Sequence, residues 1–248
     1  MLSVTDLERA LADLGLEAPV RFDEVTGSTN ATALAMAEAG TPEWTLVAAG
    51  HQTAGRGRLG RSWTDRAGAA LMCSFVVRPS LDPERGGLIP LLAGAMMAAA
   101  IHGVAGADVR CKWPNDLLLG SSKVGGILVE SAVADGRLAH VVVGIGVNLE
   151  APAGVEGAAG IGDVDPVALL TSFLRRFHEG YVRLPDGAAE SWTEVSATIG
   201  RRVEVMRRDA PSIRGLALAV DARGALVVET ENGTEIVTSG EVEHLSGA

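Results

Sequence analysis

Aromatic residues are scarce in this 248-residue chain: four Trp, four Phe and one Tyr make up 4% of it. A core so short of rings has to be filled mainly by Ala, Val and Leu, and a Trp placed in a polar loop then calls for a reason of its own. Cysteine is scarcer still. Cys73 and Cys111 each lie in an apolar segment and no Cys/His set has zinc-ligand spacing, so they read as two reduced, buried thiols and no metal site is expected. Positive charge is in deficit as well, with 21 Lys and Arg against 31 Asp and Glu and a formal net charge of −10. That balance excludes a chain that binds nucleic acid over its whole surface, though not a local cationic loop. The acidic, amphipathic start is unlike a signal peptide. The longest apolar run, Gly86 to Val104, is interrupted by Gly, Pro and His and reads as a buried helix rather than a membrane span. A cytoplasmic protein that uses no membrane is expected.

What is present is a chain of 47% hydrophobic residues, enough for one large domain, or one large and one small. Helices are expected over Leu7–Leu16, Ser28–Ala39 with Ser28 as N-cap and Gly40 as stop, Gly87–Val104, Pro166–Tyr181 and Ala188–Val195. Strands are expected over Val20–Val25, Trp44–His51, Ala69–Val77, Val109–Trp113, Asp116–Leu119, Lys123–Ser131 and His140–Leu149, with turns that favour antiparallel pairing in the later ones. After Ser196 the texture changes to short, evenly spaced strands: Arg201–Met206, Ile213–Asp221, Ala225–Glu229 and Glu235–Val237. The expected fold is α+β, a mixed β-sheet with helices on one face over residues 1–197, followed by a small β-barrel over 198–248.

Five segments carry candidate chemistry. In Gly55-Arg56-Gly57-Arg58-Leu59-Gly60-Arg61-Ser62-Trp63, three glycines alternate with three arginines directly after a strand. Glycine lets a backbone approach a ligand closely, and arginine offers forked donors to carboxylate or phosphate, so the loop suits an anion and can close over it. It is neither a Walker A loop nor a GxGxxG that opens a helix; a solvated linker and an RGG-like nucleic-acid segment are the other readings. Lys112-Trp113-Pro114-Asn115-Asp116 packs a cation, an aromatic, a rigid proline, an amide and a carboxylate into one connection, either a site or a surface turn. Lys123-Val124-Gly125-Gly126 and Gly144-Ile145-Gly146-Val147-Asn148 place glycines inside strands, where they cost stability unless a ligand or another backbone comes close. Gly27-Ser28-Thr29-Asn30 opens a helix, as a plain cap or as a polar-ligand site.

In this order, GSTN, GRGRLGRSW, KWPND, KVGGIL and GIGVN resemble the biotin–protein ligases, over residues 20–149 most clearly and more weakly through the C-terminal barrel. The resemblance implies a class II synthetase-like catalytic domain and a small SH3-like barrel. It implies an enzyme that makes biotinyl-5′-AMP from biotin and ATP, with Mg²⁺ on the nucleotide phosphates. The enzyme then passes biotin to a lysine of the biotin carboxyl carrier domain of a carboxylase such as acetyl-CoA carboxylase. Carried over residue by residue, Lys123, Arg58 and Asp116 are the catalytic candidates, Lys123 as the cation at carboxylate and α-phosphate, Asp116 to orient or deprotonate the acceptor lysine. Biotin would meet Ser28, Thr29, Asn30, Gln52, Gly55, Arg56, Gly57, Arg58, Lys123, Gly126 and Gly144, with Gly125 and Gly146 aiding close approach. ATP and the adenylate would meet Arg56, Arg58, Arg61, Trp63, Lys112, Asn115, Lys123 and Asn148. About twenty residues precede the matching region, which implies the monofunctional class without a DNA-binding domain, acting as monomer or homodimer and without DNA as a partner. A lipoate–protein ligase of similar chemistry, an RNA-binding protein and a silent biotin-binding module are the competing readings.

Overall fold

The computed structural model describes residues 2–208 and 210–245; residues 1, 209 and 246–248, which the expected domain spans include, lie outside them. The chain runs α1 (Val4–Ala12), β1 (Val20–Asp23), α2 (Thr29–Glu38), β2 (Leu46–Ala49), β3 (Ala70–Val77), α3 (Leu88–Ala105), β4 (Val109–Lys112), β5 (Asp116–Leu119), β6 (Ser122–Ala134), β7 (Arg137–Asn148), α4 (Pro166–Tyr181) and α5 (Ala188–Glu194). Then follow β8 (Arg202–Met206), β9 (Ile213–Val220), β10 (Leu226–Thr230), β11 (Gly233–Val237) and β12 (Glu241–His244). The first seven strands form one sheet in the order β1-β2-β3-β7-β6-β5-β4, parallel between β1 and β2 and antiparallel elsewhere. The last five form an antiparallel sheet in the order β11-β10-β9-β8-β12. The α+β fold with a mixed sheet and a small C-terminal β-unit is thus as expected.

Alternation along β3 sorts the two faces. Leu71, Cys73, Phe75 and Val77 point into the large core, which α1, α3, α4 and α5 cover. Val76 points to the other side, where α2 packs Ala33 and Ala37 against Val47, Val76 and Val142. Helices therefore share one face except for α2, which period-two alternation in β2, β3 and β7 leaves room for on the back. Five of the nine aromatics, Trp44, Phe75, Phe173, Phe177 and Tyr181, gather where α4 meets the sheet. Phe75 lies 5.9 Å from Trp44 in a stacked pair and 5.1 Å from Phe177 edge to face, and Tyr181 closes the group. Elsewhere small residues let elements draw together, as where a Cβ on Gly180 of α4 would meet Leu92 of α3 at 2.6 Å. The apolar run read as a buried helix is α3, whose Ile89, Leu92, Met97 and Ile101 are enclosed by the sheet, α4 and α5.

Two departures have local causes. The first helix starts earlier than its apolar pattern, because Ser3 caps it in a reciprocal box with Asp6, and Gly15 at φ +70° turns the chain out before Leu16. Strand β12 was not foreseen. Only Val242 of its four residues is buried, so no apolar run announces it, and its pairing with β8 alone makes it a strand.

The two sheets are joined through the β4–β5 connection. The Cys111 amide donates to the Val195 carbonyl at 2.8 Å and the Cys111 carbonyl accepts from Ala197 at 2.7 Å, so the chain leaving α5 runs along β4. The Trp113 amide donates to Thr198 Oγ1 at 3.0 Å and its indole Nε1 to the Gly224 carbonyl at 3.2 Å. Trp113 is the plug between the units, 1% exposed.

Burial pushes the thiols of Cys73 and Cys111 up to about 12 from an ordinary 9.0. Unfolding frees them to ionise at their ordinary value, so the unfolded chain binds fewer protons in that window and stability falls as pH rises from about 9 to about 12. Urea unfolding across that range should show a steeper loss for the native chain than for a Cys73→Ala/Cys111→Ala variant; parallel curves would contradict the burial argument.

Candidate active site

One cavity gathers residues of all five sequence segments together with the barrel. At one end lies the start of α2. Ser28 caps the helix, its hydroxyl accepting from the Ala31 amide at 3.4 Å. The Thr29 amide and hydroxyl both donate to Gln52 Oε1, at 2.7 and 3.1 Å. The Ser74 hydroxyl of β3 lies 2.8 Å from both Thr29 Oγ1 and Asn30 Oδ1. Asn30 Nδ2 donates to Glu130 Oε2 at 2.8 Å, so its amide orientation is fixed from both sides.

That network explains the strand glycines. A Cβ on Gly144 would fall on the Asn30 amide, and one on Gly146 would lie 2.8 Å from the Trp63 indole. On Gly125 it would lie 2.7 Å from the Gly146 carbonyl oxygen. The close approach these three permit is made by protein groups. Gly126 differs: its missing Cβ opens toward Lys123, 3.7 Å from Nζ.

The Gly/Arg segment is a small hairpin. Gly57 donates to the Arg61 carbonyl at 2.8 Å and Trp63 to the Gly55 carbonyl at 2.9 Å, and the tip turns through Leu59 at φ +56° and Gly60 at φ +79°. Its base is fastened by His51 Nδ1 against the fully enclosed Asp65 carboxylate at 2.9 Å. Its arginines fan out in three directions. Arg56 reaches Glu130 at 3.2 Å, Arg58 reaches Asn115 Oδ1 at 3.4 Å and the Gly240 carbonyl at 3.3 Å, and Arg61 pairs with Glu241. Burial lowers the Arg58 pKa from its ordinary value, against the opposing pull of Glu241 and Asp116.

At the other end, Asp116 stands between two ammonium groups, Lys123 Nζ at 2.5 Å and Lys112 Nζ at 3.8 Å. The β5–β6 ladder holds them there, since Asp116 pairs with Gly126 across a bulge that brings Lys123 over the strand end. Asn115, after a cis Trp113–Pro114 bond, donates to the Ile127 carbonyl at 3.0 Å. Cations held in place beforehand are suited to stabilise negative charge that develops on a bound carboxylate or phosphate.

Of the sequence-derived candidates, Ser28, Thr29, Asn30, Gln52, Arg56, Gly57, Arg58, Arg61, Trp63, Lys112, Asn115, Asp116, Lys123, Gly126, Gly144 and Gly146 line this cavity. Gly55, Gly125 and Asn148 do not, Gly125 lying against the Gly146 carbonyl and Leu117. Gly55 is packed against Trp63 inside the hairpin, and Asn148 donates to the Ala159 carbonyl at 3.1 Å, holding the segment after β7 along Lys123. Sequence reasoning missed Met206, Glu241, Val242 and Glu243, which the barrel adds to the wall, and Glu130 beside it. Glu130 had a signal, a lone acid on the Gly126–Leu128 face of an apolar strand. The barrel residues had none.

Two family profiles match the chain, that of the biotin/lipoate A/B protein ligase family over residues 22–148 and that of the biotin protein ligase C-terminal domain over residues 198–245. The biotin–[acetyl-CoA-carboxylase] ligase of Mycobacterium tuberculosis is 34% identical over 235 residues, covering 89% of this chain and 86% of that one. The bifunctional ligase/repressor BirA of Bacillus subtilis is 29% identical over 238 residues, 90% of this chain and 73% of that protein. Among solved structures, the biotin protein ligase of Aquifex aeolicus in complex with biotin and ATP superposes with a TM-score of 0.73 at 25% identity, covering 91% of this chain and 97% of that one. The two profiles and these relatives place the chain among protein ligases of the cofactor-attaching kind. The chain belongs to the biotin/lipoate A/B protein ligase family.

Gly144→Ala should drive Asn30 off the sheet. Overpacking of this kind costs about 1–3 kcal/mol, read as a lower urea midpoint together with weakened ligand binding; an unchanged midpoint would mean that Asn30 does not need the bare backbone.

Proposed function

We propose that this chain is an ATP-dependent biotin–protein ligase. The observation that carries the reading is the joining, in one cavity, of the Asn30–Gln52 polar end with the Arg56, Arg58 and Lys123 cations, in a chain whose relatives are named biotin ligases. A carboxylate oxygen of biotin attacks the α-phosphorus of ATP, pyrophosphate leaves, and biotinyl-5′-AMP remains. The amine of an acceptor lysine then attacks the mixed anhydride at its carbonyl carbon, loses a proton, and releases AMP. Both steps build charge on oxygen, and cations fixed beforehand favour those transition states over the substrates.

In this reading Lys123 lies at the carboxylate and α-phosphate, and Arg56 and Arg58 close over the adenylate. The Trp63 indole walls the ligand; its Nε1 is buried with no protein partner among the described residues, a donor that a polar ligand atom can use. The ring of Asn30, Thr29, Ser28 and Gln52 encloses the ureido end. Asp116, already hydrogen-bonded to one lysine ammonium, has the chemistry to receive another as the acceptor approaches. Magnesium would enter on the nucleotide phosphates: of the three carboxylates in the cavity wall, Asp116 is paired with Lys123 and Glu241 with Arg61, which leaves Glu243 as a single carboxylate, too few for a protein cage. The acceptor is the carrier domain of a biotin-dependent carboxylase, in the cytoplasm. The division into a catalytic part, 1–197, and a barrel, 198–248, belongs to the same reading.

The test is to mix the purified chain with biotin, Mg-ATP and a biotin carboxyl carrier domain, follow pyrophosphate release and blot the carrier for biotin, with lipoate as competitor. Biotin transfer that excess lipoate does not suppress is expected; an unlabelled carrier without pyrophosphate would reject the reading. Lys123→Ala should cut adenylate formation by about two to three orders of magnitude, the scale of a removed transition-state charge contact, with the fold intact by circular dichroism. Near-native rates would remove Lys123 from the chemistry.

A further inference from the structure

Glu130 lies outside the segments that carry the chemistry, yet it holds two side chains of the site. It sits on β6 two residues beyond Leu128, opposite Val142 of β7, with a side chain 24% exposed. Its Oε2 accepts from Asn30 Nδ2 at 2.8 Å, and its Oε1 faces Arg56 Nη2 at 3.2 Å. One carboxylate thus ties the start of α2 to the Gly/Arg hairpin. The tie has a consequence for any anion that Arg56 takes up. Such a ligand comes in beside Glu130 or in its place, against a like charge in a partly enclosed site where screening is incomplete. A neutral ligand meets no such opposition.

We propose that Glu130 is a specificity-determining and positioning residue, which sets the affinity for carboxylate ligands by competing with them for Arg56 while it fixes the Asn30 amide. This rests on the reading that the carboxylate of biotin meets Arg56. The competition keeps Arg56 from clasping adventitious small carboxylates, which lack the ring contacts at the Asn30 end to offset the displacement of Glu130. Biotin has them.

Glu130→Gln separates the two roles, because its amide oxygen still accepts from Asn30 while the charge opposite Arg56 is gone. Equilibrium binding of biotin and of its neutral methyl ester, measured by calorimetry, reads the result. Biotin should bind the variant about two- to fivefold more tightly than the native chain, the scale of a partly exposed ion pair, while the ester stays within experimental error. In an Arg56→Ala background the same substitution should lose its effect, as a double-mutant cycle requires. Glu130→Asp keeps the charge and should not tighten biotin. Weaker or equal shifts for biotin and ester in Glu130→Gln, or tightening that persists without Arg56, would overturn the proposal and make Glu130 a plain structural residue. A native chain that binds no biotin would instead overturn the ligase reading on which it stands.

Discussion

The site depends on bare backbone in the middle of the sheet. Gly126 pairs with Gly146 across the β6–β7 ladder, and Gly144 extends the bare patch along β7, opposite Leu128. Into that patch come the Asn30 amide from behind and the Trp63 indole from the hairpin. Each approach fixes a further piece. Asn30 brings Thr29 and through it Gln52; Trp63 sets where the hairpin ends and hence where its arginines begin. The patch costs strand stability, which the long ladder around it, Gly125 to Ala134 against Arg137 to Val147, offsets. In this sense α2 and the hairpin are placed by what β6 and β7 lack.

Electrostatics follow the same economy. A chain of net charge −10 presents a cavity rich in cations, and those cations hold carboxylates: Arg56 with Glu130, Arg61 with Glu241, Lys112 and Lys123 with Asp116. Paired cations tolerate partial burial that lone ones would not. They also stay in one place, which is what stabilisation of a developing charge requires. In the proposed reading, an anion that meets Arg56, Arg61 or Lys123 exchanges partners with a carboxylate, whereas Arg58, held by the Asn115 and Gly240 oxygens, has no carboxylate to give up.

Much of the fold was legible because its signals were local. The cap at Ser28, Pro166 in the first turn of α4, the stop at Gly40 and the turns at Gly120 and Asp135-Gly136 bounded most elements to within a few residues. The motif glycines and arginines marked the site, and the cavity gathers most of them. What sequence could not give was the second partner. Gly144 and Gly146 announce a close approach but not that Asn30 and Trp63 make it, and Asn148 looked like a ligand residue although its amide is engaged with Ala159. The strand β12 was invisible because one buried valine in four residues makes no pattern. Its role in the wall emerges only from pairing with β8.

The contacts of the hairpin with β12 span nearly the whole chain: Arg61 and Glu241 are 180 residues apart, and Arg58 and Gly240 182. Neither the seven-stranded sheet nor the barrel can make these contacts by itself: the hairpin belongs to one and Gly240 and Glu241 to the other. The ligand cavity is therefore a property of the docked pair, and a change that loosens the seam at Trp113 would open its wall while leaving both sheets intact.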